Sequence, residues 1–126
     1  MIERLFRRTI YIKVYKNKFI IRHIENKKEI SVSASEPFST KRLLIGEFLE
    51  AENTLHKGIK KLYEGRWFLI SPLAVIQPME MMEGGLSEVE ERILKEVTTG
   101  AGARKVIVWV GRELSDMEVL QKAGNV

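Results

Sequence analysis

From Thr9 to Ser35 the chain alternates apolar and polar residues in three short runs, separated by nothing longer than tight polar turns. Ile10, Ile12 and Val14 point one way along the first run and Tyr11, Lys13 and Tyr15 the other, a period of two that belongs to a strand. Lys16-Asn17-Lys18 turns the chain, Phe19 to Ile24 resumes the pattern, and Glu25-Asn26-Lys27-Lys28 turns it again. Glu29 to Ser35 is a thinner third strand through Ile30 and Val32. Turns this short connect antiparallel neighbours. The predicted unit is therefore a three-stranded meander, ended by Pro37.

Beyond Pro37 the period changes. Leu43-Leu44-Ile45, closed by Gly46, is a short apolar stretch with the character of a further small strand. Phe48, Ala51, Leu55, Ile59 and Leu62 then recur at steps of three and four, one face of a helix, with Gly65 as its stop. Trp67 to Ile70, bounded by Gly65 and Pro72, is a continuous apolar run of the kind found in a strand covered on both faces. Pro78 to Gly85 reads as a loop. Ser87 and Glu90 form a capping box that opens a helix in which Val89, Ile93 and Val97 share a face, and Gly100 supplies a left-handed end. Arg104 to Val110 is predicted as another buried strand, and Ser115 with Glu118 caps a last helix through Leu120.

The order is β-β-β-(β)-α-β-α-β-α. This is an α/β protein with a mixed sheet, an antiparallel meander on one side and right-handed β-α-β crossovers on the other. No repeat, linker or low-complexity tract divides the 126 residues, so one domain spanning 1–126 is expected, with 1–8 a flexible basic-apolar leader.

With 44% hydrophobic and 30% charged residues, the chain has the balance of a folded domain rather than a disordered one. Cysteine is absent, which removes disulfides and thiolate metal sites. No apolar run approaches the ~20 residues a bilayer span needs. The arginines near the start lack the apolar core of a secretion signal, so the expected compartment is the cytoplasm. Charge is uneven. Residues 1–28 hold nine Lys/Arg against Glu3 and Glu25, whereas the remainder is slightly acidic, with 12 bases and 15 acids. Such a basic segment suits an anionic surface, or serves to keep an edge strand from pairing with other chains.

One passage carries a family resemblance. Val89-Glu90-Glu91-Arg92-Ile93, then Glu96, then Thr99-Gly100-Ala101-Gly102-Ala103-Arg104-Lys105-Val106, resembles the helix-then-strand step of the rod-shape-determining bacterial actins, the MreB family. Glu36-Pro37, Leu44-Ile45-Gly46, Trp67 to Pro72 and the leader Met1 to Arg8 follow that family more loosely. The resemblance implies a ribonuclease H-like fold, specifically the half-domain called subdomain IA in actin-like ATPases. It does not extend to the family's chemistry. The family's Asp-x-Gly-Thr phosphate hairpin is matched here by Tyr11-Ile12-Lys13-Val14-Tyr15, and its acidic pair after the last strand falls near Val110-Gly111, with only Glu113 close by. Glycine lets backbone N–H groups approach a phosphate and the carboxylate positions Mg²⁺; both are missing.

No catalytic, cofactor-binding or metal-ligating residue is therefore expected. Gly100-Ala101-Gly102-Ala103 runs from a helix into a strand, the reverse of a phosphate cradle. His23 and His56 have no neighbouring ligands at metal spacing, and Ser71, Ser87 and Ser115 lack a nucleophile elbow. What remains is surface. Met79, Met81 and Met82 offer adaptable contacts for a protein partner. Ile2, Leu5 and Phe6 with Arg4, Arg7 and Arg8 fit weak peripheral contact with a membrane, and Lys13, Lys16 and Lys18 fit an anion.

The expected function is a non-catalytic, truncated actin-like interaction module in cell shape or envelope assembly. It would contact a bacterial actin or an envelope-assembly protein near the inner face of the membrane, and a half-domain's uncovered surfaces favour self-association. The alternative is a nucleic-acid-binding module in which Tyr11, Tyr15 and Phe19 stack bases between those lysines. A third reading is a degenerate enzyme that still binds nucleotide.

Overall fold

The computed structural model describes residues 8–64 and 71–124. Three strands, β1 (Thr9–Tyr15), β2 (Lys18–His23) and β3 (Lys28–Ser33), form the meander. Helix α1 (Phe48–Leu62), strand β4 (Leu73–Pro78), helix α2 (Glu88–Gly100), strand β5 (Lys105–Val108) and helix α3 (Asp116–Ala123) follow. The five strands make one sheet in the order β3-β2-β1-β4-β5. β1 pairs antiparallel with β2, as β2 does with β3, while β1–β4 and β4–β5 are parallel. The molecule is thus an α/β protein with a mixed sheet.

The meander turns where the polar residues stand. Asn17 takes a positive φ of 56° in the β1–β2 turn, a conformation asparagine tolerates better than most side chains. Its Oδ1 accepts from the backbone N–H groups of Phe38 and Ser39, both at 2.8 Å, and so fixes the chain that leaves β3. Alternation then decides which layer each residue joins. Ile10, Ile12, Val14, Phe19, Ile21 and Ile76 pack against Leu55, Ile59, Leu94 and Val97 of α1 and α2. On the other face Tyr11, Leu73 and Val75 meet Leu114, Val119 and Ala123 beneath α3. β1 is consequently buried on both faces, although its sequence alternates like a half-exposed strand.

Several boundaries differ from those the sequence predicts. The first strand described after α1 begins beyond Pro72. The Trp67-to-Ile70 run, like Gly65, lies outside the described residues. Pro72 stands immediately ahead of β4, where its missing N–H costs no ladder bond, and its carbonyl accepts from Arg104 N at 2.8 Å. Leu43-Leu44-Ile45 belongs to a hydrogen-bonded loop rather than a strand, with Thr40 N donating to Leu43 O at 2.8 Å. β5 is a short, half-buried edge strand instead of a fully buried one.

Both capping boxes form, with Ser87 accepting from Glu90 N and Ser115 from Glu118 N. The left-handed residue after α2 is Gly102 (φ 123°), not Gly100, which instead sits closely against Glu52 of α1. Of the predicted α2 face, Val97 is fully buried with Leu94 and Thr98, whereas Val89 is 71% exposed.

His23 is 1% exposed and sets up a pH dependence. Its Nδ1 accepts from Asn26 N at 2.9 Å, and its ring lies edge-on to Tyr63 at 4.9 Å between centroids. Nε2 of His23 and the Tyr63 hydroxyl are both buried, with no hydrogen-bond partner among the described residues. Burial pushes the His23 pKa below the ordinary histidine value; the cations Arg8 and Lys28 add to this, against Glu25. The unfolded chain therefore binds a proton that the folded chain resists, and this stabilising contribution is present above about pH 6.5 and lost as the pH falls below it. Urea titrations at pH 7 and pH 5 should show lower stability at pH 5, with the difference reduced in His23→Gln. An equal pH effect in that variant would place its origin elsewhere.

Candidate functional site

Two regions at one end of the sheet could have function, and they differ in what they leave open. The first lies where β1 and β4 run out towards the segment 109–115. Tyr11 donates its hydroxyl proton to Gln77 Oε1, and accepts from Leu114 N at 3.1 Å. Gln77, 1% exposed, donates from Nε2 to the carbonyls of Gly111 and Arg112 at 2.7 and 3.3 Å. Lys13 Nζ pairs with Glu113 Oε2 at 3.1 Å. Burial alone would lower the Lys13 pKa, but the bond and charge of Glu113 outweigh it and the net shift is upward, so the lysine stays cationic. Burial raises the Tyr11 hydroxyl too, with Glu113 reinforcing it.

Every polar group placed here by β1 and β4 is thus spoken for. Lys13 and Glu113 are paired with each other here, the Glu113 side chain remaining 58% exposed. Among the described residues no cluster of three or more His, Cys, Asp or Glu could hold a metal ion.

The second region is open. The loop after β4 starts with Met79 N donating to Val14 O at 2.9 Å and is pinned by Lys16 N donating to Glu80 Oε2 at 2.6 Å. Met81, Gly84 and Gly85 all take positive φ, which curls the loop back towards α2. Opposite it, the 38–46 loop is braced by Ser39 Oγ donating to Leu44 O at 2.5 Å and by Gly46 N donating to Phe38 O at 2.8 Å. Between them runs a narrow apolar groove of about 70 Å³. Leu43, Leu44 and Ile45 form one wall, Met81 and Met82 a second, and Leu86, Val89 and Ile93 the third. Leu43 is 42% exposed, an apolar side chain left at the rim beside Val89. One end opens into a polar basin formed by Lys16, Lys41, Arg42, Glu80, Glu83 and Glu90.

The predicted contact residues divide accordingly. Met81 and Met82 line the groove, while Met79 is half-buried at the loop's root. Lys16 is exposed in the polar basin. Lys18 lies over the Tyr15 ring, 4.9 Å from its centroid. Arg8 is half-buried, and its carbonyl accepts from Leu73 N at 2.7 Å. Ile2, Arg4, Leu5, Phe6 and Arg7 lie outside the described residues.

Lys13 does not join the other lysines at the surface, because β1 is central and Glu113 holds its side chain inward. The same burial corrects the base-stacking idea: Tyr11 is 2% exposed and Phe19 fully buried against Phe38, so neither can present a platform. The groove walls at Leu43 to Ile45 and at Val89 were missed as site residues. The available signal was that Val89 precedes the buried α2 stripe by a turn and has nothing below it.

No family model matches the chain. It is similar to the Escherichia coli (strain K12) protein named uncharacterized protein YjaA, with 41% identity over 101 residues, covering 76% of this chain and 78% of that one.

Proposed function

The chain belongs to the family of YjaA, and we propose for it a non-catalytic role as a protein–protein interaction module that uses the groove between the 38–46 loop, the methionine loop and α2. The single observation that carries this is an apolar groove left open to solvent, with Val89 71% and Leu43 42% exposed at its rim. Methionines in one wall let such a groove adapt to the side chains it receives.

The finer fold within this proposal is the ribonuclease H-like, actin-like half-domain. Its support is the order β3-β2-β1-β4-β5 with only β2 antiparallel to the other strands, the helices placed between β3, β4 and β5, and the Val89-to-Val106 sequence match. The proposed partner is a bacterial actin or an envelope-assembly protein, met in the cytoplasm close to the membrane. Nucleotide chemistry is left out of the proposal because Tyr11, Lys13, Gln77 and Glu113 satisfy one another where a phosphate site would need free donors.

Co-sedimentation with purified rod-shape-determining actin filaments tests the partner. The chain should pellet with filaments, and Val89→Glu or Met82→Glu should weaken binding roughly ten-fold or more, since each puts a carboxylate into an apolar contact. No co-sedimentation, or binding indifferent to both substitutions, defeats the proposal. Thermal melts with millimolar MgATP should show no shift.

A further inference from the structure

We propose that His23 is an acid-operated latch on the meander: by taking up a proton at Nδ1 it lets go of the Asn26 amide, draws Glu25 Oε1 away from Thr9 N, and opens the β2–β3 turn while the sheet stays folded.

The neutral state is set by one bond. His23 is the last residue of β2 and is 1% exposed. Its Nδ1 accepts from Asn26 N at 2.9 Å, so that nitrogen carries no proton and the ring's proton belongs to Nε2. Nε2 has no hydrogen-bond partner among the described residues, and neither has the hydroxyl of Tyr63, whose ring meets the imidazole edge-on. An incoming proton can therefore settle only on Nδ1. There it faces the Asn26 N–H donor against donor, and the bond that closes the turn is lost.

Glu25 supplies the second state. Its Oε1 accepts from Thr9 N at 2.8 Å and lies 3.9 Å from His23 Nδ1, too far for a hydrogen bond. One oxygen thus stands between two donors. It serves the first residue of β1 while the ring is neutral, and a protonated imidazole makes it a stronger, charge-assisted offer. The other charges facing the ring oppose protonation in place. Arg8, ahead of β1, and Lys28, at the start of β3, are both cations, and Lys28 is paired with Glu64 at 3.0 Å. A positive ring set among these groups gains most by recruiting Glu25. Burial holds the ring neutral at pH 7, so the latch opens only as the pH falls below the ordinary histidine value of about 6.5.

The turn can let go by itself. Residues 25–27 are exposed, Lys27 takes a positive φ of 56°, and its N–H reaches Ile24 O at 3.3 Å. Ile24 N donates to Thr9 O at 2.9 Å, which holds β1 against β2 on the strand side of the turn. Losing the Asn26 and Glu25 contacts leaves that ladder intact.

NMR titration of the intact chain between pH 7 and pH 5 tests the latch. The His23 ring signals and the amide protons of Asn26 and Thr9 should move together with one midpoint, while the amides of Ile12 and Ile21 keep their shifts. In Glu25→Gln, which can still accept from Thr9 N but carries no charge, His23 should titrate at lower pH and the Thr9 amide should move less. His23→Gln should abolish the coupled movement of Asn26 and Thr9, and circular dichroism at pH 7 should show both variants folded. Glu25 is exposed in the turn, so its variant reads the latch even where His23→Gln does not fold. A His23 ring that titrates without moving the Asn26 amide overturns the proposal. So does a Thr9 amide that ignores the titration, or a His23 that takes up its proton only when the whole sheet unfolds.

Discussion

Phe19→Ala is expected to destabilise the chain by about 3–5 kcal/mol, the range for removing a buried aromatic ring from a packed core. Phe19 is fully buried and stacks on Phe38 with ring centroids 4.9 Å apart and planes 23° from parallel. The loss reaches further than one cavity. Phe38 roots the loop that carries Leu43 to Ile45: its N–H is held by Asn17 Oδ1, and its carbonyl accepts from Gly46 N and Glu47 N at 2.8 and 3.0 Å. Removing the ring beneath it loosens one wall of the groove, so partner binding should fall along with stability. Urea unfolding should show a lower midpoint with an unchanged slope. Phe19→Leu, which retains much of the apolar volume, should be milder on both counts. A loss below about 1 kcal/mol for the alanine variant would mean the Phe19–Phe38 stack is not a structural link between meander and loop.

The meander was legible in the sequence because its signals agree. Alternation, short polar turns and an asparagine able to take positive φ all lead to one hairpin geometry, and each strand appears within a residue or two of its predicted place. Both capping boxes were legible for the same reason, since a serine and a glutamate three residues apart interact locally and need nothing from the rest of the fold. β4 was missed because Trp67 to Ile76 is apolar almost throughout, and periodicity cannot locate a strand inside such a run. The decision came from pairing: Leu73 N bonds Arg8 O at the start of the register that sets Thr9 beside Leu73. Pro72, which bounds the Trp67-to-Ile70 run in the sequence reading, stands just before the first residue of β4.

The site was only half legible. Met81 and Met82 were identified by residue type alone, whereas their neighbours in the groove come from segments far apart in sequence. Leu43 to Ile45 looked like a strand and Val89 looked like core. Both readings follow from apolarity; among the described residues Leu44 does join the core, whereas Leu43 and Val89 are left exposed. Helix α2 tilts its buried stripe to Leu94, Val97 and Thr98, which strands Val89 at the helix start. The sequence pattern cannot distinguish an apolar residue in that position from one that the fold itself covers.

The buried network at the other region should behave as a unit. Gln77→Ala is expected to cost about 2–4 kcal/mol, since it leaves the buried Tyr11 hydroxyl proton without its acceptor, removes the part-buried bond to the Gly111 carbonyl, and adds a cavity. Tyr11→Phe should cost about 1–3 kcal/mol, because Leu114 N loses its acceptor and Gln77 Oε1 its donor. The double variant should fall short of the sum by about 1 kcal/mol or more, as expected of residues that share a hydrogen bond. Equilibrium unfolding of the two single variants and the double variant gives that coupling. Full additivity would mean that the two side chains stabilise the 111–114 turn independently. Coupling of the expected size would mean that Tyr11 and Gln77 together clamp this turn over the ends of β1 and β4. The clamped turn leads into Glu113, which pairs with Lys13 at 3.1 Å, so weakening the clamp should also loosen that ion pair.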